Sequence, residues 1–238
     1  MRPDFYDEND TESWLKVVGE GRHYHFGDGP EIIRRLYRYI PEGSRVLDCG
    51  CGWGGPASML VRERGCSVTG VTISAGQHAW LCAHAPEISV IHADLADFVP
   101  RESFDVAMFV QSFTHMPKPV QVLKNIDTPA VVIQDFLGLK GHYYDPVWQM
   151  HFHAMPDYER IFAAAGYRIC SREVMDDVAS LATIRKDAET WLARMETLSP
   201  SQMTGQIRVL RDSSRGWLGM QQHDAWCQVI FHLERQAG

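Results

Sequence analysis

The stretch "RVLDCGCGWGGPAS", residues 45–58, decides the fold of this chain. An apolar run leads to the carboxylate of Asp48 and then to a loop that holds four glycines. Glycine lets the backbone turn sharply and approach a ligand closely, and the proline after the loop suits the first turn of a helix. The stretch therefore predicts a strand, a ligand-binding loop and a helix, in that order.

The same order of strand and helix repeats along the chain. Short apolar runs rich in β-branched residues alternate with segments of helical periodicity, a pattern typical of an open, doubly wound α/β sheet. In such a sheet, ligands bind at the carboxyl ends of the strands. We predict strands at 45–48, 67–72, 88–92, 104–110, 129–135, 167–174 and 227–233, and helices at 56–64, 74–84, 118–124 and 156–165.

Two segments fall outside this alternation. Residues 1–40 contain a cluster of aromatic residues and histidines followed by a helix, and residues 176–222 contain two helices with apolar stripes. We expect an N-terminal cap segment over 1–40, a ligand-binding Rossmann-like domain over 41–175 and 223–238, and an inserted helical lid over 176–222. The first helix shares one apolar face among Ile32, Ile33, Leu36, Tyr39 and Ile40.

Composition favours a small-molecule partner. The 238-residue chain has a formal net charge of −7 and no run of Lys or Arg, which argues against a nucleic-acid partner. No apolar stretch reaches the ~18–20 residues that a membrane span needs, and the acidic N-terminus differs from a secretory signal. The six cysteines are scattered, which favours reduced thiols. We therefore expect a cytoplasmic monomer or homodimer that acts on a small molecule without binding membranes.

The glycine loop first suggests a dinucleotide. Gly50, Gly52 and Gly55 fit the pattern G-x-G-x-x-G. A dinucleotide site also needs an acidic residue, or an Arg for a 2′-phosphate, about 20 residues further on. The sequence there, "GVTIS" (70–74), has neither, and the carboxylate of Asp48 would stand close to the phosphates. These features disfavour a dinucleotide.

A ligand with both an ammonium and a carboxylate fits this loop better. Loop N–H groups can bind the carboxylate, while Asp48 attracts the amine directly or through water. S-adenosyl-L-methionine has both groups, and its sulfonium favours aromatic faces such as those of Tyr24, Phe26 and Trp53. Asp48 is alternatively a structural cap that orients the loop, an interpretation that the spacing alone leaves open.

Two motifs carry a family resemblance. "VLDCGCGWGGPA" (46–57) followed by "GVTISAGQ" (70–77) resembles the cyclopropane-fatty-acid-synthase and small-molecule C-methyltransferase branch of the class I S-adenosylmethionine-dependent methyltransferases. The resemblance runs from about residue 22 to residue 233. It implies a Rossmann-like, seven-stranded, mostly parallel sheet whose last strand, 227–233, is antiparallel. It also implies S-adenosyl-L-methionine as cofactor and S-adenosyl-L-homocysteine as product.

The resemblance also implies cofactor contacts. Thr72 and Gln77 would bind the ribose hydroxyls, and Ser74 would cap the next helix. Asp94, otherwise an ordinary turn residue, would meet the adenine. Independently of the resemblance, Gln111 ends the fourth predicted strand at the ligand edge of the sheet and would hold the methionine moiety. The full set of expected cofactor-binding residues is Tyr24, Asp48, Gly50, Cys51, Gly52, Trp53, Thr72, Ser74, Gln77, Asp94, Leu95 and Gln111.

Three histidines, His115, His25 and His153, are the expected catalytic residues. His115 follows the fourth strand, where the family has a histidine, and would act as a base if the acceptor is protonated; a structural role is the alternative. His25 belongs to "HYHFG" (23–27), which resembles the family's closing segment. The residue before the fourth-strand histidine is typically Glu in fatty-acid cyclopropane synthases and is Thr114 here, which disfavours cyclopropanation of lipid chains.

The segment "GHYYDPVWQMHFHAMPDYE" (141–159) is dense in aromatic residues and suits a planar or isoprenoid acceptor. His151 and His153 would share one side of a strand and, with His142, would be able to hold a divalent metal. No carboxylate is spaced to complete that site, so we assign no metal and expect polar substrate contacts. An anionic acceptor would be neutralised by Arg22, His23, His25 and His153.

Together these features predict an S-adenosylmethionine-dependent methyltransferase that acts on a small, partly hydrophobic metabolite, preferentially at carbon. The resemblance leaves nitrogen and oxygen open as methylated atoms. A cyclase or isomerase that keeps the cofactor without methyl transfer is the rival enzyme class. A non-enzymatic cofactor-binding module and a nucleotide oxidoreductase are the remaining alternatives.

Overall fold

The structure is a computed structural model. It describes residues 7, 11–19, 21–22, 29–175, 181–203, 205–219 and 224–236. The expected cofactor contacts of Tyr24 and Phe26 and the expected catalytic role of His25 lie outside the described residues.

A seven-stranded sheet forms the centre of the molecule, in the order β3-β2-β1-β4-β5-β9-β8. Strands β1 to β5 pair in parallel, and β9 runs antiparallel between β5 and β8. The Rossmann-like sheet with an antiparallel last strand, expected from the sequence, is therefore confirmed. The strands are β1 (Arg45–Cys49), β2 (Ser67–Thr72), β3 (Ser89–His92), β4 (Val106–Val110), β5 (Ala130–Gly138), β6 (Tyr143–Asp145), β7 (Met150–Phe152), β8 (Tyr167–Val174) and β9 (Trp226–Arg235).

Helices cover both faces of this sheet. The central strands are buried on both sides and are mostly apolar, as parallel strands in doubly wound sheets are. No helix in the described part of the chain is both long enough and apolar enough to cross a membrane. The α-helices are α1 (Thr11–Val18), α2 (Gly29–Leu36), α3 (Gly55–Arg64), α4 (Ala75–His84), α5 (Pro119–Ile126), α6 (Met155–Ala164), α7 (Leu181–Met195) and α8 (Gly205–Gly219).

The helix expected to continue to Ile40 ends earlier. Helix α2 stops at Leu36, and Tyr37–Tyr39 form a 3₁₀ turn. Pro41 disfavours helical backbone at the residue before it, so the chain leaves the helix as it approaches β1. Four of the five apolar side chains expected on one face are fully buried, and Tyr39 is half-buried.

Helix α1, which the periodicity did not reveal, packs with the two helices α7 and α8. Trp14 of α1 and Trp191 of α7 are buried in one apolar cluster that also takes in Trp53 of the glycine loop. The guanidinium of Arg194 ties the helices together, because Nη1 donates to the carbonyl oxygens of Val17 and Val18, each at 3.0 Å. The N-terminal helix and the inserted helices therefore form one apolar cluster next to the loop.

The strands β6 and β7 form a short antiparallel hairpin, which the sequence pattern did not predict. It pairs Tyr143 with Phe152 and Asp145 with Met150. The side chains of Met150 and Phe152 pack on Phe136 of β5, which holds the hairpin over the carboxyl end of the sheet.

Candidate active site

A cavity opens at the carboxyl ends of β1, β2, β4 and β5. Strand order reverses between β1 and β4, and this switch point is where open α/β sheets bind ligands. Ser74 does not line the cavity but caps α4, and Tyr24 is not among the described residues. The expected cofactor residues that line the cavity are Asp48, Gly50, Cys51, Gly52, Trp53, Thr72, Gln77, Asp94, Leu95 and Gln111.

The glycine loop is shaped by close contacts with its neighbours. Gly50 has φ +91°, and a Cβ placed there would stand 2.7 Å from Cβ of Ser112. The amides of Gly50 and Cys51 both donate to the carbonyl oxygen of Val71, at 2.9 and 3.0 Å. These two N–H groups therefore bind the loop to β2, and a ligand must be held by other groups.

Asp48 places a carboxyl group inside the cavity wall. Its side chain is 1% exposed, and burial raises its pKa to about 7. Oδ2 is buried and has no hydrogen-bond partner among the described residues. An unpaired buried carboxylate costs free energy unless a donor reaches it, so this atom points to a ligand that carries a donor or a positive charge.

Arg22 places the opposite charge in the same cavity. Its Nη2 donates to Oγ of Ser58 at 2.5 Å and lies 3.9 Å from Oε1 of Glu87. The guanidinium stands over the ring of Trp80, with Cζ 5.4 Å from the ring centroid. Nη1 is buried without a partner in the part of the chain that the structure describes. The sequence predicted that Arg22 neutralises an anionic acceptor. It did not predict that the guanidinium lies beside α3, where it contacts Ser58.

The carboxyl end of β2 provides two polar side chains for a sugar. Oγ1 of Thr72 donates to Oε1 of Gln77 at 2.7 Å, and both side chains are buried at the cavity. This bond orients the Gln77 amide with its NH₂ group available as a donor. Oγ of Ser74 accepts from the amide of Gln77 at 3.1 Å, so the expected helix cap is confirmed. The carboxylate of Asp7 also accepts from the Ala75 amide at 3.1 Å.

Asp94 combines a turn role with a place at the cavity. Its Oδ1 accepts from the amide of Ala96 at 2.9 Å, and its carbonyl accepts from the amides of Asp97 and Phe98. Leu95 follows and is buried against the core. The turn fixes both residues at the end of β3 next to the cavity.

His115 lies at the end of a 3₁₀ turn, Phe113–His115, and lines the cavity. Its Nδ1 lies 3.3 Å from the carbonyl oxygen of Gln149, which can only accept. The bond therefore fixes the proton of the neutral ring on Nδ1 and makes Nε2 the basic nitrogen. Burial lowers the pKa of His115 to about 4, only partly offset by this bond, so the ring is neutral at physiological pH.

Asp135, a residue that sequence reasoning missed, supports this turn. Its Oδ1 accepts from Oγ1 of Thr114 at 2.9 Å, and its Oδ2 accepts from the Thr114 amide at 3.1 Å. Burial raises the pKa of Asp135 to about 6, although these bonds and one from the Phe136 amide oppose the shift. In the sequence, Asp135 is marked only as an acid at the end of an apolar run, and this pattern does not indicate that Thr114 is its partner.

The part of the cavity beyond Gln111 and His115 is aromatic. Its lining residues come from β5, the hairpin and β9, and also from α7, α8 and the loop at Trp148. The carboxylate of Asp145 also lines it and accepts from the amides of Val147 and Trp148. The aromatic residues of this region are Phe136, Tyr143, Trp148, Phe152, Trp191, Trp217 and Trp226.

The three histidines considered for a metal come together on the other side of the hairpin. The ring centroid of His142 lies 5.6 Å from that of His151 and 5.2 Å from that of His153, and the ring planes are nearly parallel. The rings stack, and Nε2 of His142 lies 3.4 Å from Nδ1 of His151, but among the described residues the three histidines do not bring three donor atoms within 4.8 Å of one another. His153 is buried and does not line the cavity, so the structure does not bring it to His115.

Comparison with known proteins supports the methyltransferase class that the sequence motifs indicated. A family model described as a methyltransferase domain matches residues 46–128. The chain is 36% identical over 139 residues to 2-methyl-6-phytyl-1,4-hydroquinone methyltransferase of Synechocystis sp., covering 49% of this chain and 43% of that protein. It is 36% identical over 104 residues to cyclopropane-fatty-acyl-phospholipid synthase of Escherichia coli, covering 43% of this chain and 25% of that protein. The chain thus spans less than half the length of these curated relatives.

A solved structure extends the likeness over nearly the whole chain. The 4+2 cyclase SpnF matches with a TM-score of 0.78 at 19% identity, covering 96% of this chain and 93% of that one. At this identity the match shows a shared fold. The family resemblance inferred from the sequence is supported by the family model and by the cyclopropane synthase match.

Proposed function

We propose that the chain is a class I S-adenosylmethionine-dependent methyltransferase of the cyclopropane-synthase-like branch and that it transfers a methyl group to a small, partly hydrophobic metabolite. The methylated atom is carbon in this proposal, as in the branch that the sequence resembles. Nitrogen and oxygen are the alternatives.

One observation supports the cofactor most directly. Asp48 Oδ2 and Arg22 Nη1 are buried, oppositely charged and unpartnered within the described ranges, and both residues line one cavity. An amino-acid tail is a zwitterion, so its ammonium suits Asp48 and its carboxylate suits Arg22. Of the loop amides, those of Gly52 and Trp53 would assist, since those of Gly50 and Cys51 bind Val71.

The remaining cavity residues fit the rest of the cofactor. The Gln77 amide, oriented by Thr72, would donate to a ribose hydroxyl. Asp94 uses one carboxylate oxygen for its turn, and the other would accept from the adenine amino group. Leu95 would pack on the adenine ring, and Gln111 would contact the methionine moiety.

Bound S-adenosyl-L-methionine supplies an electrophilic methyl group on a sulfonium, so this chain has to position the acceptor in line and remove a proton where the acceptor carries one. The Nε2 atom of His115 would accept that proton. The Asp135 carboxylate holds the turn that carries His115, and the Gln149 carbonyl fixes its tautomer. The hairpin and α8 both line the cavity, so they would reduce the access of water to a bound acceptor.

The acceptor site favours a planar or extended apolar compound. Aromatic walls from the hairpin and from α7 and α8 would pack on both sides of such a molecule. One matched relative is named for a phytyl-bearing hydroquinone, which is an aromatic acceptor. This supports carbon methylation of an activated aromatic or isoprenoid compound.

Retention of the cofactor during a cyclisation is a second candidate function. It is favoured by the similarity over nearly the whole chain to a structure that is named as a cyclase. The two functions differ in the fate of the methyl group, because only methyl transfer consumes the cofactor.

Incubation with methyl-labelled S-adenosyl-L-methionine and cell extract separates these functions. Methyl transfer predicts label in an organic-soluble metabolite and one S-adenosyl-L-homocysteine for each label transferred. Conversion of an extract component without label or S-adenosyl-L-homocysteine would instead establish the cyclase. Binding of NAD but not of S-adenosyl-L-homocysteine would reject both.

A further inference from the structure

A second group of reactive side chains lies at the other end of the sheet. Cys170 of β8 and His232 and Glu234 of β9 each offer one donor atom, and these atoms all lie within 4.8 Å of one another. Glu234 pairs with Ala130 at the start of β5, so the group lies at the amino end of the parallel strands. The cavity is at the carboxyl end, and none of the three residues lines it.

A β-bulge brings Cys170 into this group. Ile169 pairs with Leu233, and Ser171 pairs with His232, which leaves Cys170 as an extra residue in β8. Leu233 is buried in the core, so alternation along β9 puts His232 and Glu234 on the opposite side. The sulfur of Cys170 lies beside them, and bulges in edge strands are known to redirect side chains in this way.

Neighbouring residues hold two of the donors in place. The ring of His232 stacks on Tyr39, with centroids 5.0 Å apart, and Oγ of Ser171 donates to the hydroxyl of Tyr39 at 3.0 Å. Glu234 forms an ion pair with Arg168 through Oε2. Such surrounding contacts orient ligands at metal sites, and the ion pair competes for one carboxylate oxygen.

We propose that Cys170, His232 and Glu234 bind a zinc-type divalent metal ion. A thiolate, an imidazole and a carboxylate are donors that Zn²⁺ prefers, and water would complete a tetrahedron. With bonds of ~2.0–2.3 Å, donors around one tetrahedral ion stand roughly 3.3–3.8 Å apart, so small side-chain rotations complete the site. On binding, the thiol releases its proton to solvent as the sulfur–metal bond forms. The ion would join β8 to β9 at the bulge.

Titration of the purified protein with Cd²⁺, followed by thiolate-to-metal charge-transfer absorption, tests this site. We expect a saturable band at one equivalent that Cys170→Ser abolishes. Cys82→Ser is the matched control, because Cys82 is exposed on α4 and next to His78 but far from β8, and it should keep the band. A missing band, or a band that Cys170→Ser keeps, overturns the proposal.

Two further variants test the other ligands and guard against misfolding. His232→Ala should weaken Zn²⁺ binding in calorimetry by about tenfold or more, as loss of even a supporting contact does. Arg168→Ala should strengthen it, because the variant frees Glu234 from its ion pair while leaving all three ligands. Weaker or unchanged binding by a folded Arg168→Ala protein would contradict the role of Glu234. Zn²⁺ should also raise the Tm of the unaltered protein and leave that of Cys170→Ser unchanged.

Discussion

Individual buried polar atoms carry most of the functional argument. Asp48 Oδ2 and Arg22 Nη1 lack partners within the described structure, and each unmade bond in such a position costs about 1–3 kcal/mol. Asp48 was predictable, since it directly precedes the glycine loop. Arg22 was not, because its position beside α3 depends on a tertiary approach in which a Cβ on Gly55 would come within 2.7 Å of the Arg22 carbonyl oxygen.

The raised pKa of Asp48 makes cofactor binding depend on pH. Burial puts this pKa at about 7, so the free protein holds the carboxyl group protonated at lower pH and ionised at higher pH. The ligand's ammonium requires the ionised form. We therefore expect the Kd for S-adenosyl-L-homocysteine to rise about tenfold from pH 8 to pH 6.

Asp48→Asn serves as the control for this pH dependence, because Asn has nearly the same shape and does not titrate. Calorimetry on the variant should show weaker binding with a much flatter pH profile. An equally steep profile in the variant would assign the dependence to another group and would remove Asp48 from the ammonium site.

His115 should affect the rate of transfer far more than the affinity for the cofactor. With the acceptor identified by labelling, we expect His115→Gln to lower kcat by roughly 10²–10⁴-fold if the acceptor must lose a proton. His142→Gln is the matched control, since His142 is exposed behind the hairpin. Because burial lowers the pKa of His115 to about 4, kcat should be insensitive to protonation of this ring above about pH 5.

A steady-state comparison of the two variants decides this role. Full activity of His115→Gln would return the histidine to a structural role. Equal losses in both variants would place the effect in the hairpin rather than in a base.

The loop requires glycine at position 50 both because of its positive φ and because a Cβ there would clash with Ser112. Two variants can distinguish these reasons. Gly43 has φ +71° with open space around its missing Cβ, whereas Gly50 has φ +91° and Ser112 Cβ at 2.7 Å. Gly43→Ala should cost only the strain of a positive φ, of order 1–3 kcal/mol. Gly50→Ala should lower the free energy of unfolding further, because Ser112 is also held by its bond to the Cys49 carbonyl. Equal losses in urea denaturation would show that this contact does not constrain the loop.

At the scale of elements, the alternation of apolar runs predicted the strands and the helices that flank them, because burial on two faces leaves a strong local signal. Helix α1 and the hairpin gave no such signal. Helix α1 is only eight residues long and is stabilised by contacts with α7 and α8, which are distant in sequence. Short elements of this kind depend on tertiary packing more than on local propensity.

The attachment of α1 to the inserted helix is testable through Arg194. Arg194→Met removes the two bonds to the carbonyl oxygens of Val17 and Val18 while keeping an apolar stem. Hydrogen bonds to a charged group contribute about 2 kcal/mol, so their loss should lower the free energy of opening α1 by that amount. The amides of α1 should then exchange with deuterium roughly 30-fold faster. Arg208→Met, which loses bonds to the Met203 carbonyl only, is the control. Unchanged exchange in Arg194→Met would show that apolar packing alone holds α1.

For the molecule as a whole, the seven-stranded, mostly parallel sheet and its antiparallel last strand followed from the alternation and the family resemblance. The placement of ten expected cofactor residues around one cavity also followed, because strand ends in a doubly wound sheet converge at the switch point. The support of His115 by Asp135 and the stacking of the three hairpin histidines did not follow. Both depend on which loop folds over which strand, and no local pattern encodes that.

The central claim is that one cavity binds both poles of an amino-acid tail. The most direct test compares the calorimetric affinities of S-adenosyl-L-homocysteine and of 5′-methylthioadenosine, which lacks that tail, for the unaltered protein and for Asp48→Asn and Arg22→Met. We predict that the unaltered protein prefers S-adenosyl-L-homocysteine by about 100-fold or more, and that each variant loses at least about tenfold of this preference while binding 5′-methylthioadenosine unchanged. Equal affinity for the two ligands, or a preference that survives in both variants, would contradict the account.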